Sequence, residues 1–367
     1  MASRQASWEA QAELNVLGTP AAGGRERVRT LPMRLGPGRV ARPFALTVAT
    51  APTRPAAAPD LGADAPSPMA AALAALGGCA AATAATSLAV QGAYATGISV
   101  RAFAGRPGPS LGAGLELDLR GDLDAGQARL ALEHVRRFSV IRRTLAEPAE
   151  VRVIGTWTGD EPRSVTLGPS GAAQDRPATA HEVRVEWEGG LRSIATSAGS
   201  RMEIDQPKQL FGADSAPNPQ EYLLAALAAE ALAALGGRSG SGAGTGTDTG
   251  TGTGTGTAAE LHVSARLDLR GWLGVGPRPV GLRNILLQCL WPPEDRDGLD
   301  RLVHWTGHGA VLGLLRRAER PHTSVTVNGL PISDGLPVGD GLPVGDGTPA
   351  AGDPRPIDGS DTSPYLQ

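Results

Sequence analysis

The sequence predicts an α+β fold in which one order of elements occurs twice. Two stretches open an apolar helix in the same way, Ser67-Pro68-Met69-Ala70-Ala71-Ala72-Leu73 and Asn218-Pro219-Gln220-Glu221-Tyr222-Leu223-Leu224. In each, a capping residue precedes a proline at the first helical position, where a missing N–H costs nothing. Each helix is preceded by two alternating strand patterns and followed by strands, a further helix and a last strand. Counted from the proline, the first copy reaches Cys79 where the second reaches Glu230.

In the first half, Ala12–Gly18 and Arg29–Met33 read as a strand and its return around Gly23-Gly24, and the buried helix runs from Met69 to Val90. Gly97–Phe103 and Gly114–Leu119 alternate as strands, Asp124–Phe138 is an amphipathic helix, and Arg142–Pro148 leads into the strand Glu150–Ile154. In the second half, His181–Trp187 and Ser193–Thr196 flank Gly189-Gly190, and the helix from Pro219 follows. Glu260–Gly271 and Arg283–Leu290 are strands, Asp295–Gly307 is a helix and Thr323–Val327 closes the unit.

This places a first domain at 8–157, a linker at 158–180 and a second domain at 181–328. The second is interrupted by a Gly-Thr insertion at 236–257, and an acidic Pro/Gly tail fills 329–367. Both low-complexity segments lack the apolar groups that offset the entropy of ordering, and both are expected to be disordered.

The 367 residues carry a net charge of −3, which favours neither nucleic acid nor an anionic membrane as partner. Lys208 is the sole lysine, a bias that fits GC-rich coding, so the arginine excess is given no functional weight. Two cysteines, Cys79 and Cys289, exclude a disulfide framework and fit a reducing compartment. With no apolar signal core among the first residues, the cytoplasm is expected. Met69–Val90 is mostly Ala, Gly, Ser and Thr, a buried helix rather than a membrane span, and Leu76-Gly77-Gly78-Cys79 lies too far along to be a lipoprotein box.

Cys79 reads as a small packing residue or as a nucleophile, and Cys289, in the strand Asn284–Leu290, as packing. Glu221 stands three residues after Asn218, the spacing of a capping box. Glu230, in an Ala/Leu helix, is to be protonated or paired with an arginine, because an unpaired buried carboxylate is costly. His304 and His308 are four apart but lack the carboxylate of a zincin motif, so they are read as a chance pair. Gly274-Val275-Gly276 is too short for a phosphate loop, and no metal or cofactor is expected.

Ala216-Pro217-Asn218-Pro219-Gln220-Glu221-Tyr222-Leu223-Leu224-Ala225-Ala226-Leu227-Ala228 resembles the stretch that opens the central helix of the OsmC/Ohr family of thiol-dependent hydroperoxide reductases. Leu267–Gly274 is similar to that family's strand and turn, and Arg143-Thr144-Leu145-Ala146-Glu147-Pro148 to the segment after its last helix. The resemblance covers most of both halves. It implies two tandem OsmC-like domains, antiparallel strands around a central helix, embracing as an intramolecular pseudo-dimer with sites at the seam.

It also implies roles for residues. Cys79 falls on the family's peroxidatic position, and the resolving position falls on Ser139 in the first half and near Gly309 in the second. Glu230 occupies the peroxidatic position of the second half, and Glu221 matches the helix-start glutamate that Met69-Ala70 replaces in the first. Arg25 or Arg192, each after a glycine turn where the family places its arginine, would hold the thiolate, since a free thiol with pKa about 8.5 is mostly protonated at neutral pH. Two readings follow. One is reduction of small organic hydroperoxides through Cys79, with an external thiol reductant because Ser139 cannot form a disulfide. The other is a catalytically retired relative that binds a small apolar ligand or a protein partner at the old cleft.

Overall fold

The computed structural model describes residues 11–21, 25–36, 38–50, 65–105, 112–147, 150–157, 162–167, 180–236, 259–291, 297–317 and 320–332. The Gly23-Gly24 turn, the Gly-Thr insertion beyond Gly236 and the tail beyond Ile332 lie outside the described residues.

The chain is mixed α+β. The first half supplies β1 (Gln11–Ala21), β2 (Arg25–Leu35), β3 (Gly38–Val40), β4 (Ala45–Ala49), α1 (Pro68–Val90), β5 (Tyr94–Ala104) and β6 (Ala113–Asp122). It continues through α2 (Ala125–Phe138), α3 (Val140–Ala146), β7 (Val151–Trp157) and β8 (Arg163–Leu167). The second half supplies β9 (His181–Gly189), β10 (Arg192–Ser197), β11 (Ser200–Ile204), α4 (Pro219–Gly236), β12 (Glu260–Asp268), α5 (Leu269–Trp272) and β13 (Arg283–Trp291). It ends with α6 (Gly298–His308), α7 (Ala310–Arg316), β14 (His322–Val327) and β15 (Leu330–Pro331).

Two sheets result, ordered β3-β2-β1-β12-β13-β7-β8, with β4 also on β2, and β11-β10-β9-β5-β6-β14-β15. Each sheet takes its middle strands from the opposite half of the chain. In the first, β12 and β13 sit between β1 and β7; in the second, β5 and β6 sit between β9 and β14. Position for position the two orders correspond, and each holds one parallel pair that joins the halves, β13 with β7 and β6 with β14. The exchange satisfies the ladder of β1 along eight residue pairs with β12, from Gln11↔Asp268 to Gly18↔Leu261. Alternation sets which face is buried: Leu261, Val263, Ala265 and Leu267 of β12 face inward, as do Leu115, Leu117 and Leu119 of β6.

α4 lies on the first sheet, α1 on the second, and the two helices pack against each other between them. This position explains their sequences, since a helix covered on all sides is apolar all round and small residues let its neighbours approach. α1 is long and apolar enough to cross a membrane by composition, and 78% of its most apolar window is buried inside the protein. Both start as the sequence predicts. Ser67 Oγ accepts from Ala70 N at 3.1 Å. Asn218 and Glu221 form a reciprocal capping box, each side chain accepting from the other's backbone N–H at 2.9 Å.

Several expectations change. Arg142–Leu145, read as a passage into a strand, belong to α3, and a matching short helix, α7, follows α6. The strand expected to reach Gly271 ends at Asp268, whose carboxylate accepts from Arg270 N at 3.0 Å and turns the chain into α5. The linker 158–180 contains β8, paired antiparallel with β7, and the tail segment opens with β15 hydrogen-bonded back to β14. Short edge strands such as these follow from pairing with a strand already in place rather than from their own pattern.

Candidate functional site

The central helices, by their positions, bring Cys79 and Glu230 to corresponding places. α2 ends at Ser139, which also begins α3, and the Ser139 side chain does not cap the new helix. The first N–H groups of a helix have no partner within it. Here those of Val140 and Ile141 lie near the Cys79 thiol, as does the Ser139 hydroxyl, while Thr83 Oγ1 donates to the Cys79 carbonyl at 2.7 Å. Ser139 is fully buried, and its hydroxyl has no hydrogen-bond partner among the described residues. Burial outweighs these neighbours and pushes the Cys79 thiol up from the ordinary thiol range, so the sulfur carries its proton at neutral pH.

In the second half the same junction lies at Gly309, between α6 and α7. Glu230 takes the place of the thiol, accepting from Val311 N at 2.9 Å, Leu312 N at 3.3 Å and Trp305 Nε1 at 3.2 Å. Its carboxyl pKa is raised by burial, against the pull of those donors. Gly309 is needed for this arrangement: a Cβ there would stand 2.7 Å from Glu230 Oε2 and 2.6 Å from Trp305 Nε1. The larger carboxylate thus occupies the room that the Ser139 side chain has in the first half.

The expected arginines are placed elsewhere. Arg192 is bound by Glu188 at 2.9 Å and Glu203 at 3.1 Å. Arg25 lines a different cavity, with Arg201, Met202 and Tyr222. The groups facing the Cys79 thiol are hydroxyls and backbone N–H groups, in place of the guanidinium expected from sequence. Glu221 is buried in its cap, its carboxyl pushed up to about 8 by desolvation with a smaller contribution from Asp214. Cys289 is packed in β13. The rings of His304 and His308 stack with centroids 4.1 Å apart, and among the described residues no group of three or more His, Cys, Asp or Glu is placed to hold a metal.

Cys79 forms part of the wall of a cavity of about 270 Å³ at the seam of the two halves. α1 contributes Thr83, Ser87 and Val90, α2 contributes His134 and Phe138, and the second half contributes Leu191, Gln206, Leu210, Phe211, Trp272 and Leu273. The rim is apolar and open, with Phe211 82%, Val90 80% and Leu273 58% exposed. Sequence reasoning missed the second-half wall. Its loop is built on Asp205, which is buried and accepts from Gln206 N, Ala213 N, Ser215 N and Ser215 Oγ.

That loop holds Phe211 in the left-handed region at φ 68°, a conformation that costs a β-carbon residue about 1 kcal/mol or more. Gly212 lets the chain close behind it, since a Cβ at that position would lie 1.8 Å from the Gln206 carbonyl oxygen. An aromatic ring kept in water by a strained loop that a buried carboxylate holds in place is a feature of recognition surfaces rather than of cores.

By architecture the chain is an α+β protein with two mixed sheets around paired helices and an apolar cleft at the seam of its halves. Compared with protein-family models, curated proteins and solved structures, it matches none of them.

Proposed function

We propose that this chain is an OsmC/Ohr-like tandem duplication folded as an intramolecular pseudo-dimer, and that its cleft binds a small apolar molecule without turning over peroxide. The corresponding strand orders of the two sheets support the duplication, as do the sequence motifs at Ala216–Ala228 and Leu267–Gly274. The observation that carries the binding role is the cavity itself: an apolar, aromatic-rimmed space whose sulfur is protonated and faces no guanidinium among the described contacts. The thiol lies at the start of α3, the place at which the Glu230 carboxyl caps α7 in the second half.

A second reading is favoured by one specific observation, that Cys79 lines the cavity with its sulfur beside the Val140 and Ile141 backbone at the start of α3. In that reading the thiolate attacks the O–O bond of an organic hydroperoxide, releases the alcohol and leaves a sulfenic acid for an external thiol to reduce. Cumene hydroperoxide consumption by the reduced protein separates the two. The binding role requires a rate no greater than that of a free thiol and unchanged in Cys79→Ser, together with saturable uptake of N-phenyl-1-naphthylamine. Rapid consumption abolished in Cys79→Ser establishes the peroxidase and refutes the binding-only role.

A further inference from the structure

We propose that a second cavity, set at the starts of α1 and α4 and separate from the Cys79 cleft, takes a small phenol whose hydroxyl donates to the Thr47 backbone carbonyl. The inference draws on the correspondence of the two halves and does not depend on the role of the cleft.

The second half shows what this place accommodates. Along the outer edge of β11, Asp205 N donates to Pro217 O at 3.2 Å, and two residues back on the same edge the Glu203 carbonyl accepts from the Tyr222 hydroxyl at 2.8 Å. The first half repeats the first of these bonds: along the outer edge of β4, Ala49 N donates to Pro66 O at 2.8 Å. Strand residues two apart turn their N–H and C=O groups to the same side, so the Thr47 carbonyl stands where the Glu203 carbonyl stands in the other half. What differs is the helix facing it. Three residues after its opening proline α4 carries Tyr222, and at the same step α1 carries Ala71. Alanine has no hydroxyl to give, and among the described residues no group donates to the Thr47 carbonyl across this edge.

A cavity of about 290 Å³ lies at this gap, lined by Leu46, Thr47, Pro66 and Ala71 of the first half and by Met202 and Tyr222 of the second. Ala71, Met202 and Tyr222 are buried and form its floor, while Thr47 is exposed at its mouth, within reach of an entering molecule. A dry cavity of about 150 Å³ accepts benzene, so this one has room for a single ring with a hydroxyl and one short substituent. The wall is apolar apart from the strand edge and the arginines Arg25 and Arg201, and an aromatic ring with one polar end suits such a place. The chain thus supplies the pattern for its ligand: the contact that Tyr222 makes within one half is left for a free phenol to make in the other.

The probes are p-cresol, which is the tyrosine side chain as a free molecule, and 4-methylanisole, which has its shape without the donor. Each is titrated into the full chain by NMR, following the Thr47 carbonyl through the Val48 amide and, as a report on the Cys79 cleft, the Trp272 indole. p-Cresol is expected to bind roughly tenfold more tightly than 4-methylanisole and to move the Thr47 carbonyl signal. Ala71→Tyr offers the hydroxyl from within the chain and should weaken p-cresol at this site at least tenfold. Should that variant not fold, the comparison of the two probes in the unaltered protein decides. Equal affinities, a Thr47 carbonyl signal that stays still while Trp272 shifts, or undiminished p-cresol binding in a folded Ala71→Tyr would each overturn this site and leave the role of the Cys79 cleft standing. Absence of any p-cresol binding at millimolar concentration overturns it as well.

Discussion

Replacing Glu230 by alanine is the most direct test of the view that its carboxyl is a cap borrowed from another helix. The side chain accepts from three buried donors, the N–H groups of Val311 and Leu312 and the indole of Trp305. Each donor left without a partner costs roughly 1–3 kcal/mol. Three of them give about 3–9 kcal/mol, from which relief of carboxyl desolvation subtracts, so a net loss of about 3 kcal/mol is expected. With a urea slope of roughly 3 kcal/mol/M for a chain of this size, the midpoint falls by about 1 M. Glu230→Gln keeps an acceptor but turns an NH₂ toward an N–H, and should lie between the two. The sign of the pH dependence follows from burial. A carboxyl whose pKa is raised on folding stabilises fully below its unfolded value of 4.5, and that contribution fades as pH rises through the folded value. The alanine variant's deficit is therefore larger at pH 4.5 than at pH 9. A midpoint shift below about 0.3 M, or alanine less destabilising than glutamine, would refute the capping account.

Three further outcomes follow from the same contacts. Gly309→Ser forces a side chain against Glu230 and Trp305 and should cost about 1–3 kcal/mol by overpacking, most of it recovered when Glu230 is also changed to Cys; additive losses in urea melts would contradict this. Glu221, with its carboxyl raised from 4.5 to about 8, should destabilise the fold progressively between those values, at ~1.4 kcal/mol per pH unit at most. Glu221→Gln keeps the reciprocal cap and should flatten that slope, seen in chemical melts at pH 5 and 9. Cys79 should react with iodoacetamide at pH 7 at least tenfold more slowly than a free cysteine, accelerating only in alkali; a thiolate absorbance at 240 nm at pH 7 would show the thiol is activated.

The sequence disclosed the central helices because Ser67-Pro68 and Asn218-Pro219 are strong start signals, and it disclosed the main strands because Leu261 to Leu267 and Leu115 to Leu119 alternate cleanly. It hid α3 and α7. Neither has a side-chain cap of its own, and the group that caps α7 arrives from α4. β8, β11 and β15 are short strands whose partners decide them. Cys79 and Glu230 were legible as a pair, because matching positions in two halves single them out, and Ser139 and Gly309 were marked only by the family resemblance. Where Arg25 and Arg192 point was not, since a surface carboxylate such as Glu203 competes for a guanidinium in ways that spacing does not reveal. Gln206 and Phe211 carry no signal of their own: an isolated glutamine or phenylalanine in a loop becomes informative only when the buried Asp205 is seen to order it.

The crossing of strands between sheets has a consequence for synthesis of the chain. β1 has no partner on its β12 side until Leu261, which pairs with Gly18, has been made, and the ladder is complete only at Asp268, which pairs with Gln11. At roughly ten residues per second on the ribosome, that is a wait of about 25 s with one ladder edge open. Neither half can close its own sheet early, so a truncated or stalled product exposes backbone that invites another chain. Abundance in the cell should accordingly depend on holding chaperones, and on translation that does not pause between β9 and β12.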